Sequence, residues 1–219
     1  MADPVKGRTE AGRRREERAR ETRARVTAAA LDLFLTRGYL ATSVEAIARH
    51  AGVSPATIYQ AFGTKSAVLA RALDAAIVGD DESQPLLDRD HVTAIRRLRS
   101  PGTRLAAVTR FAAQVAARTA PLKRVMRDAA ASDPEVRDLI EEDHRRRRLT
   151  QRGLVELALG TAPLRRGVTL DSAADTFSML VTSDSYDLAR SSYGWTDEQW
   201  VDWLVSVMTR EVVGERPRR

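Results

Sequence analysis

The chain has 219 residues, no cysteine, a hydrophobic fraction of 43% and a net charge of +6. That length suits one large or two small domains, and the apolar content supports a packed core rather than wholesale disorder. The lack of cysteine excludes a disulfide framework, a thiolate zinc site and a cysteine nucleophile. No apolar run approaches the roughly 20 residues of a membrane span, and the N-terminus lacks a signal peptide's apolar segment. A cytoplasmic protein with no membrane partner is therefore expected. Alanine and leucine are abundant, aromatics make up 5% and β-branched runs are absent, so the expected fold class is all-α. Residues 1–79 carry +5 of the net charge, and a basic end favours a polyanionic partner through counterion release.

Residues 1–19 read as a flexible basic arm. Its segment RRREERARETRAR mixes acidic and basic residues at spacings of three and four, so it either extends the next helix or reaches DNA phosphates as a mobile arm. A first helix is predicted from about Arg20 to Arg37, with Val26, Ala30, Leu33 and Phe34 as its buried stripe and Gly38 ending it. Tyr39 and Leu40 are expected to tuck under the next two helices. Those helices lie in residues 42–65, TSVEAIARHAGVSPATIYQAFGTK, and are short and joined by a tight turn. Thr42 and Glu45 fit a capping box, and Val44, Ile47, Ala48 and Ala51 give one apolar face. Gly52 falls where the turn needs positive φ, which glycine adopts without strain. Ser54 caps the second helix, Pro55 occupies its first position, and Val53 and Ile58 supply its apolar side. The pattern is a helix-turn-helix, the motif that lays its second helix in a DNA major groove. Ser54, Thr57, Tyr59 and Gln60 have no apolar role in that second helix.

Gly63 and Thr64 break the chain before a fourth helix, about Lys65 to Val78. Residues 79–90, GDDESQPLLDRD, read as a linker. Beyond it, helices are predicted at His91–Arg99, Arg104–Arg118, Pro121–Ala131 and from Asp133-Pro134 to Leu159. After the loop GTAPLRRG come a helix from Asp171 to Ser191 and a last one capped by Thr196, ending near Val213. Thr196 with Gln199 is a second capping-box candidate. No internal repeat is visible. The expected organisation is a basic arm (1–19), a three-helix helix-turn-helix DNA-binding domain (20–66) and a helical C-terminal domain (67–219).

Over residues 25–73 the order T-S-V-E-A-I-A, A-G-V-S, T-I-Y, F-G and K resembles the N-terminal signature of the TetR family of transcriptional regulators. The remainder agrees in being helical and of suitable length. The resemblance implies a one-component switch, a ligand-responsive repressor bound as a homodimer to a palindromic double-stranded DNA operator, with a small-molecule effector. An activator of the same fold, or a helical protein that binds DNA without sequence preference, is the alternative. By resemblance, Thr42 and Ser43 contact phosphate at the start of the second helix. Thr57 and Tyr59 make backbone contacts, and Lys65 is a phosphate clamp. Base reading falls to Ser54, Pro55, Ala56, Gln60 and Ala61, with the Gln60 amide suited to adenine. Ala56 and Ala61 depart from residues common in relatives, so no known operator carries over.

In the C-terminal part, Phe111, Val115, Leu122, Met126, Leu139 and Phe177 are candidate ligand-lining residues, with plain core packing as the alternative for each. Ala174, Phe177, Val181 and Leu188 form one stripe, and Trp200, Val201, Leu204, Val207 and Met208 another. These stripes are the candidate dimer interface, Trp200 or Trp203 its anchor, unless both face their own core. The run Arg145–Arg148 is either a solvated face paired with Glu141, Glu142 and Asp143 or an attraction for an anionic ligand. Glu141 and His144 are one i, i+3 pair, too few ligands for a di-metal site. No phosphate loop, nucleotide-binding glycine pattern or nucleophile elbow is present. No catalytic residue, metal or cofactor is expected, and the chain is not read as an enzyme.

Overall fold

The computed structural model describes residues 10–78 and 90–212, and its regular elements are helices. In order these are α1 (Glu10–Arg37), α2 (Val44–Ala51), α3 (Pro55–Phe62), α4 (Lys65–Val78), α5 (Asp90–Arg96), α6 (Pro101–Ala130), α7 (Pro134–Leu159), α8 (Leu170–Leu180), α9 (Ser183–Ser191) and α10 (Asp197–Val212). The chain forms two compact units, Met1–Leu73 and Asp74–Arg219. None of the described helices is long and apolar enough to cross a membrane.

In the first unit, residues 10–19 are the opening turns of α1 and not part of a flexible arm. Exposed pairs one turn apart, such as Arg14 with Glu10 at 2.6 Å, favour helix over coil there. Residues 1–9 of the expected arm lie outside the described residues, as does the linker over 79–89. The core joins Val26, Ala30, Leu33 and Phe34 of α1 to Ile47 and Ala48 of α2, Ile58 of α3 and Val68, Leu69 and Leu73 of α4. Tyr39 is buried against Phe34, with ring centroids 5.4 Å apart. Leu40 is exposed instead of tucked in, because its neighbour already fills the space under the motif.

The second unit departs from the predicted elements in two places. A single α6 runs through Pro121, where two helices were expected. Proline in a helix interior costs about 3 kcal/mol. Buried residues on both sides, Leu105, Val108 and Ala116 before it and Leu122, Met126 and Ala129 after it, outweigh that penalty. Conversely, the expected helix 171–191 is divided. Val181 leaves the helical region at φ −89°, ψ 70°, and Thr182 caps α9 by accepting from the Ser185 N–H at 2.9 Å. The predicted starts at Pro134 and after Thr196 are observed. Gln199 Oε1 accepts from the Thr196 N–H at 2.8 Å, and Thr196 Oγ1 from the Gln199 N–H at 3.2 Å.

The core of this unit gathers Leu105, Val108, Leu154, Phe177, Trp200 and Leu204 from α6, α7, α8 and α10. Phe177, Val181, Trp200, Leu204 and Met208 are thus core residues of their own chain, and Ala174 is buried too. The first five are unavailable as the surface of a dimer interface, whereas Ala174 borders a surface groove. The reason is geometric: α8 and α10 turn their apolar stripes inward onto α6 and α7, which a single-helix periodicity cannot distinguish from a stripe facing a partner. Of the stripe residues named as interface candidates, Leu188 alone is exposed. Phe177→Ala should lower the unfolding free energy by about 3–5 kcal/mol in urea titration, as expected for truncating an aromatic in a packed core.

Candidate functional site

The helix-turn-helix is set by local chemistry. Gly52 adopts φ 65°, ψ 39°, and the Val53 N–H bonds back to the Ala48 carbonyl at 3.0 Å, closing the α2 end in a glycine-dependent turn. Ser54 caps α3: its Oγ accepts from the Thr57 N–H at 3.1 Å and lies 2.9 Å from the Thr57 hydroxyl. Pro55 takes the first turn and Ile58 anchors the helix inward. What remains outward is Ser54, Pro55, Ala56, Tyr59, Gln60 and Ala61, all exposed, with Thr57 half-buried. Tyr59 is 50% exposed, so its phenol is free to meet a surface. The outer edge of α3 is not sealed against its own protein.

One expected phosphate contact is corrected. Thr42 is only 1% exposed, and its hydroxyl donates to the Gly38 carbonyl at 2.7 Å and the Leu33 carbonyl at 3.3 Å. It neither caps α2 nor presents its side chain outward. Ser43 is the cap, accepting from the Ala46 N–H at 3.1 Å. The register moves by one residue because a buried hydroxyl must find acceptors, and the loop carbonyls supply them. Glu45 lies in the first turn, where a bond from its own backbone N–H and one with Ser43 hold its carboxyl below the ordinary value. Lys65 is turned inward as well. Its Nζ donates to the carbonyls of Tyr39 and Thr42, both at 3.0 Å, and sits 4.0 Å from the Tyr39 ring centroid. Its ammonium clamps the 39–42 loop against α4 and so positions α2 and α3. His50 lies 3.4 Å from Asp32 at the surface.

A cavity of about 220 Å³ opens in the second unit, with Ile77, Phe111, Val115, Leu154 and Val181 among its apolar lining residues. Two of the six expected ligand-lining residues, Phe111 and Val115, are therefore placed there. Met126 lines a separate, smaller cavity of about 110 Å³ with Ile140 and His144. Leu122 and Phe177 are buried in packed interior, and none of the described cavities is lined by Leu122, Leu139 or Phe177. Lys123, Gln151 and Ser178 were missed by sequence reasoning, and Arg147 and Asp143 were met only as part of the charged run. Lys123 and Asp143 form a largely buried ion pair at 2.8 Å. Arg147 Nη1 donates to the Ser178 and Val181 carbonyls at 3.2 and 3.3 Å, and Gln151 Nε2 to Val181 at 3.3 Å. Ser178 donates to Gln151 Oε1 at 2.6 Å. Burial pushes the Arg147 guanidinium down from its ordinary value, with Asp143 opposing the shift. A usable signal existed: Asp143, Arg147, Gln151 and Val155 recur every fourth residue, one face of a helix. The rest of the arginine run is surface, with Arg145 on Glu142 at 2.6 Å, Arg146 on Asp74 at 3.3 Å and Arg148 on Asp175 at 3.1 Å. Among the described residues, no three His, Asp or Glu side chains gather as a metal-ligand group.

A three-helix unit with an outward recognition helix, followed by a helical unit with an apolar cavity, defines the class of helix-turn-helix regulators with a separate C-terminal domain. Residues 26–72 match the family described as bacterial regulatory proteins, tetR family. Over that N-terminal segment the chain is similar to the tetR family. The fold extends the likeness across the chain. NalD from Pseudomonas aeruginosa, the secondary repressor of the MexAB-OprM multidrug efflux pump, is 22% identical with TM-score 0.65, covering 91% of this chain and 100% of its own. A transcriptional regulator from Saccharomonospora viridis in complex with choline is 20% identical with TM-score 0.64, covering 90% and 99%. FadR from Bacillus subtilis in complex with stearoyl-CoA is 16% identical with TM-score 0.65, covering 85% and 97%. No curated protein gives a significant sequence match.

Removing the Lys65 ammonium should loosen the motif from within. Lys65→Met should lower thermal stability by about 1.5–3 kcal/mol, the range for hydrogen bonds from a charged donor, read by circular dichroism melting without DNA. A variant as stable as the parent would contradict the clamp. Because the Glu45 carboxyl is held below its ordinary value, its contribution is present above the unfolded value and lost as pH falls through the folded one. Glu45→Gln should therefore flatten the acid limb of the melting-temperature profile.

Proposed function

We propose that the protein is a DNA-binding transcriptional regulator that acts as a homodimer on a palindromic operator and releases it on binding a small effector. The observation that carries this reading is the outer edge of α3, where Tyr59, Gln60 and their neighbours are exposed. A phenol and a serine hydroxyl suit phosphate oxygens, whereas the Gln60 amide suits the paired edge of adenine. Ala56 and Ala61 offer methyls to thymine. Ser43, exposed beside the α2 start, is placed to add a phosphate contact through its main chain.

Dimerisation follows from the size of the reader. The eight residues of α3 span about 12 Å and reach only a few base edges, so operator-length specificity calls for two copies about one DNA turn, roughly 34 Å, apart. With the inward stripes committed to the core, the surface available to a second copy is different. Leu149 of α7 and Met179 of α8 are 73% and 71% exposed. Leu149 shares a shallow groove with Ala174, Asp175 and Ser178, the last of which immediately precedes Met179 in sequence. We assign the interface to this α7–α8 surface. Repression is the simplest outcome of occupying a promoter, and an effector that distinguishes two states needs about 1–3 kcal/mol of differential affinity. The C-terminal cavity supports that receptor role.

Selection of operators from random duplex DNA by the purified protein tests the reading, and a palindromic consensus is the expected result. Salt-sensitive recovery with no consensus would favour the non-specific alternative. Tyr59→Phe should weaken every recovered sequence about 3- to 10-fold, the value of one hydrogen bond. Gln60→Ala should erase preference at one position per half-site, about 1–3 kcal/mol of discrimination. Met179→Asp should shift the mass from dimer to monomer by light scattering at micromolar concentration, and a dimeric variant would move the interface elsewhere.

A further inference from the structure

The effector cavity has a charge imbalance that selects its occupant. Its apolar side includes Ile77, Phe111, Val115 and Leu154. Its polar side carries Lys123, Asp143 and Arg147, two cations against one carboxylate. Asp74 and Arg146 also border the cavity but neutralise each other at 3.3 Å. The Gln151 amide is spent on Val181 and Ser178. Two donors remain. One ammonium hydrogen of Lys123 serves Asp143 at 2.8 Å, and an ammonium has others to give. The Nε–H of Arg147 is buried with no hydrogen-bond partner among the described residues. A desolvated cationic donor without an acceptor is the kind of cost that a ligand relieves.

We propose that this cavity binds a compact monocarboxylate, its apolar body against Phe111 and Val115 and its carboxylate accepting from Arg147 and Lys123. One negative charge matches the single uncompensated cation, and a carboxylate is an acceptor-only group, suited to the unpartnered Arg147 Nε–H and the remaining Lys123 hydrogens. An amine would face the same two cations and offer donors to donors. The volume of about 220 Å³ is below the roughly 300–1,000 Å³ of drug-sized sites, so a short or single-ring body fits. The assignment rests on the second unit being an effector domain.

Calorimetric titration of the full chain with 3-phenylpropanoate, its primary amide, 3-phenylpropylamine and acetate tests it. The carboxylate should bind at least about tenfold tighter than the amide, a gap expected when a charged hydrogen bond is lost. The amine and acetate should bind more weakly still. Arg147→Gln should abolish the carboxylate's advantage while leaving the amide unchanged. Since Arg147 also holds the end of α8, Asp143→Asn gives a separate test: it releases Lys123 and should tighten the carboxylate alone. No carboxylate binding, parity with the amide, a preference for the amine, or a weakened carboxylate in Asp143→Asn would overturn the proposal. DNA retention on a selected operator separates this from the regulator reading. Release by the amine alone would leave a responsive regulator with another ligand class. A carboxylate that binds without releasing DNA would keep the ligand class and remove the switch.

Discussion

A guanidinium taken partly out of water dominates the second unit. Arg147 donates to the carbonyls of Ser178 and Val181, the orphan acceptors that appear where α8 stops. Without such donors the break between α8 and α9 would bury unpaired carbonyls, and the chain would do better to continue as one helix. Gln151 adds a donor to the same end. The break lets Thr182 start α9, and Asp184 and Asp187 of α9 pair with Arg127 of α6. Helix termination, cavity polarity and the attachment of α9 to α6 all pass through one desolvated side chain on α7.

The same device recurs. Arg104 donates to the carbonyls of Ala158 and Leu159 at 2.8 and 3.1 Å, closing the C-terminus of α7. Arg118 donates to Ala76 and Ile77 at 2.6 and 2.7 Å, closing α4. Cations at helix C-termini satisfy both the orphan carbonyls and the helix dipole. The high arginine content of this unit is therefore largely internal, spent on helix ends and ion pairs. Its near-neutral net charge fits that use. The first unit differs, since its excess positive charge stands on exposed positions such as Arg13–Arg15 and Arg49.

In the first unit, buried polar groups aim the recognition helix. The Thr42 hydroxyl and the Lys65 ammonium both bond to carbonyls of the 33–42 stretch. That fixes the loop between α1 and α2 on which α3 depends. The two side chains thus support the exposed face of α3 from behind. The exposed row on α3 is what remains once every internal demand has been met, and that is why its chemistry points outward.

The helix-turn-helix was legible in the amino-acid sequence because its determinants are local. Gly52, Ser54 and Pro55 act within one turn of themselves, and the α2 stripe buries as its periodicity implies. Thr42 was misassigned because Thr42 and Ser43 are equivalent caps on paper. Only packing decides which hydroxyl is enclosed. The continuity of α6 through Pro121 was not readable, since it rests on burial summed over a helix of 30 residues against one local penalty. The α8–α9 break was not readable either, because its carbonyls are satisfied from Arg147 and Gln151, some thirty residues away. Nor could periodicity tell which partner the stripes at Phe177 and Trp200 would meet. Short-range hydrogen bonding and helical spacing are written in the chain itself. The destination of a face, the cavity it encloses and the charge left over there arise only when distant segments compete for the same space.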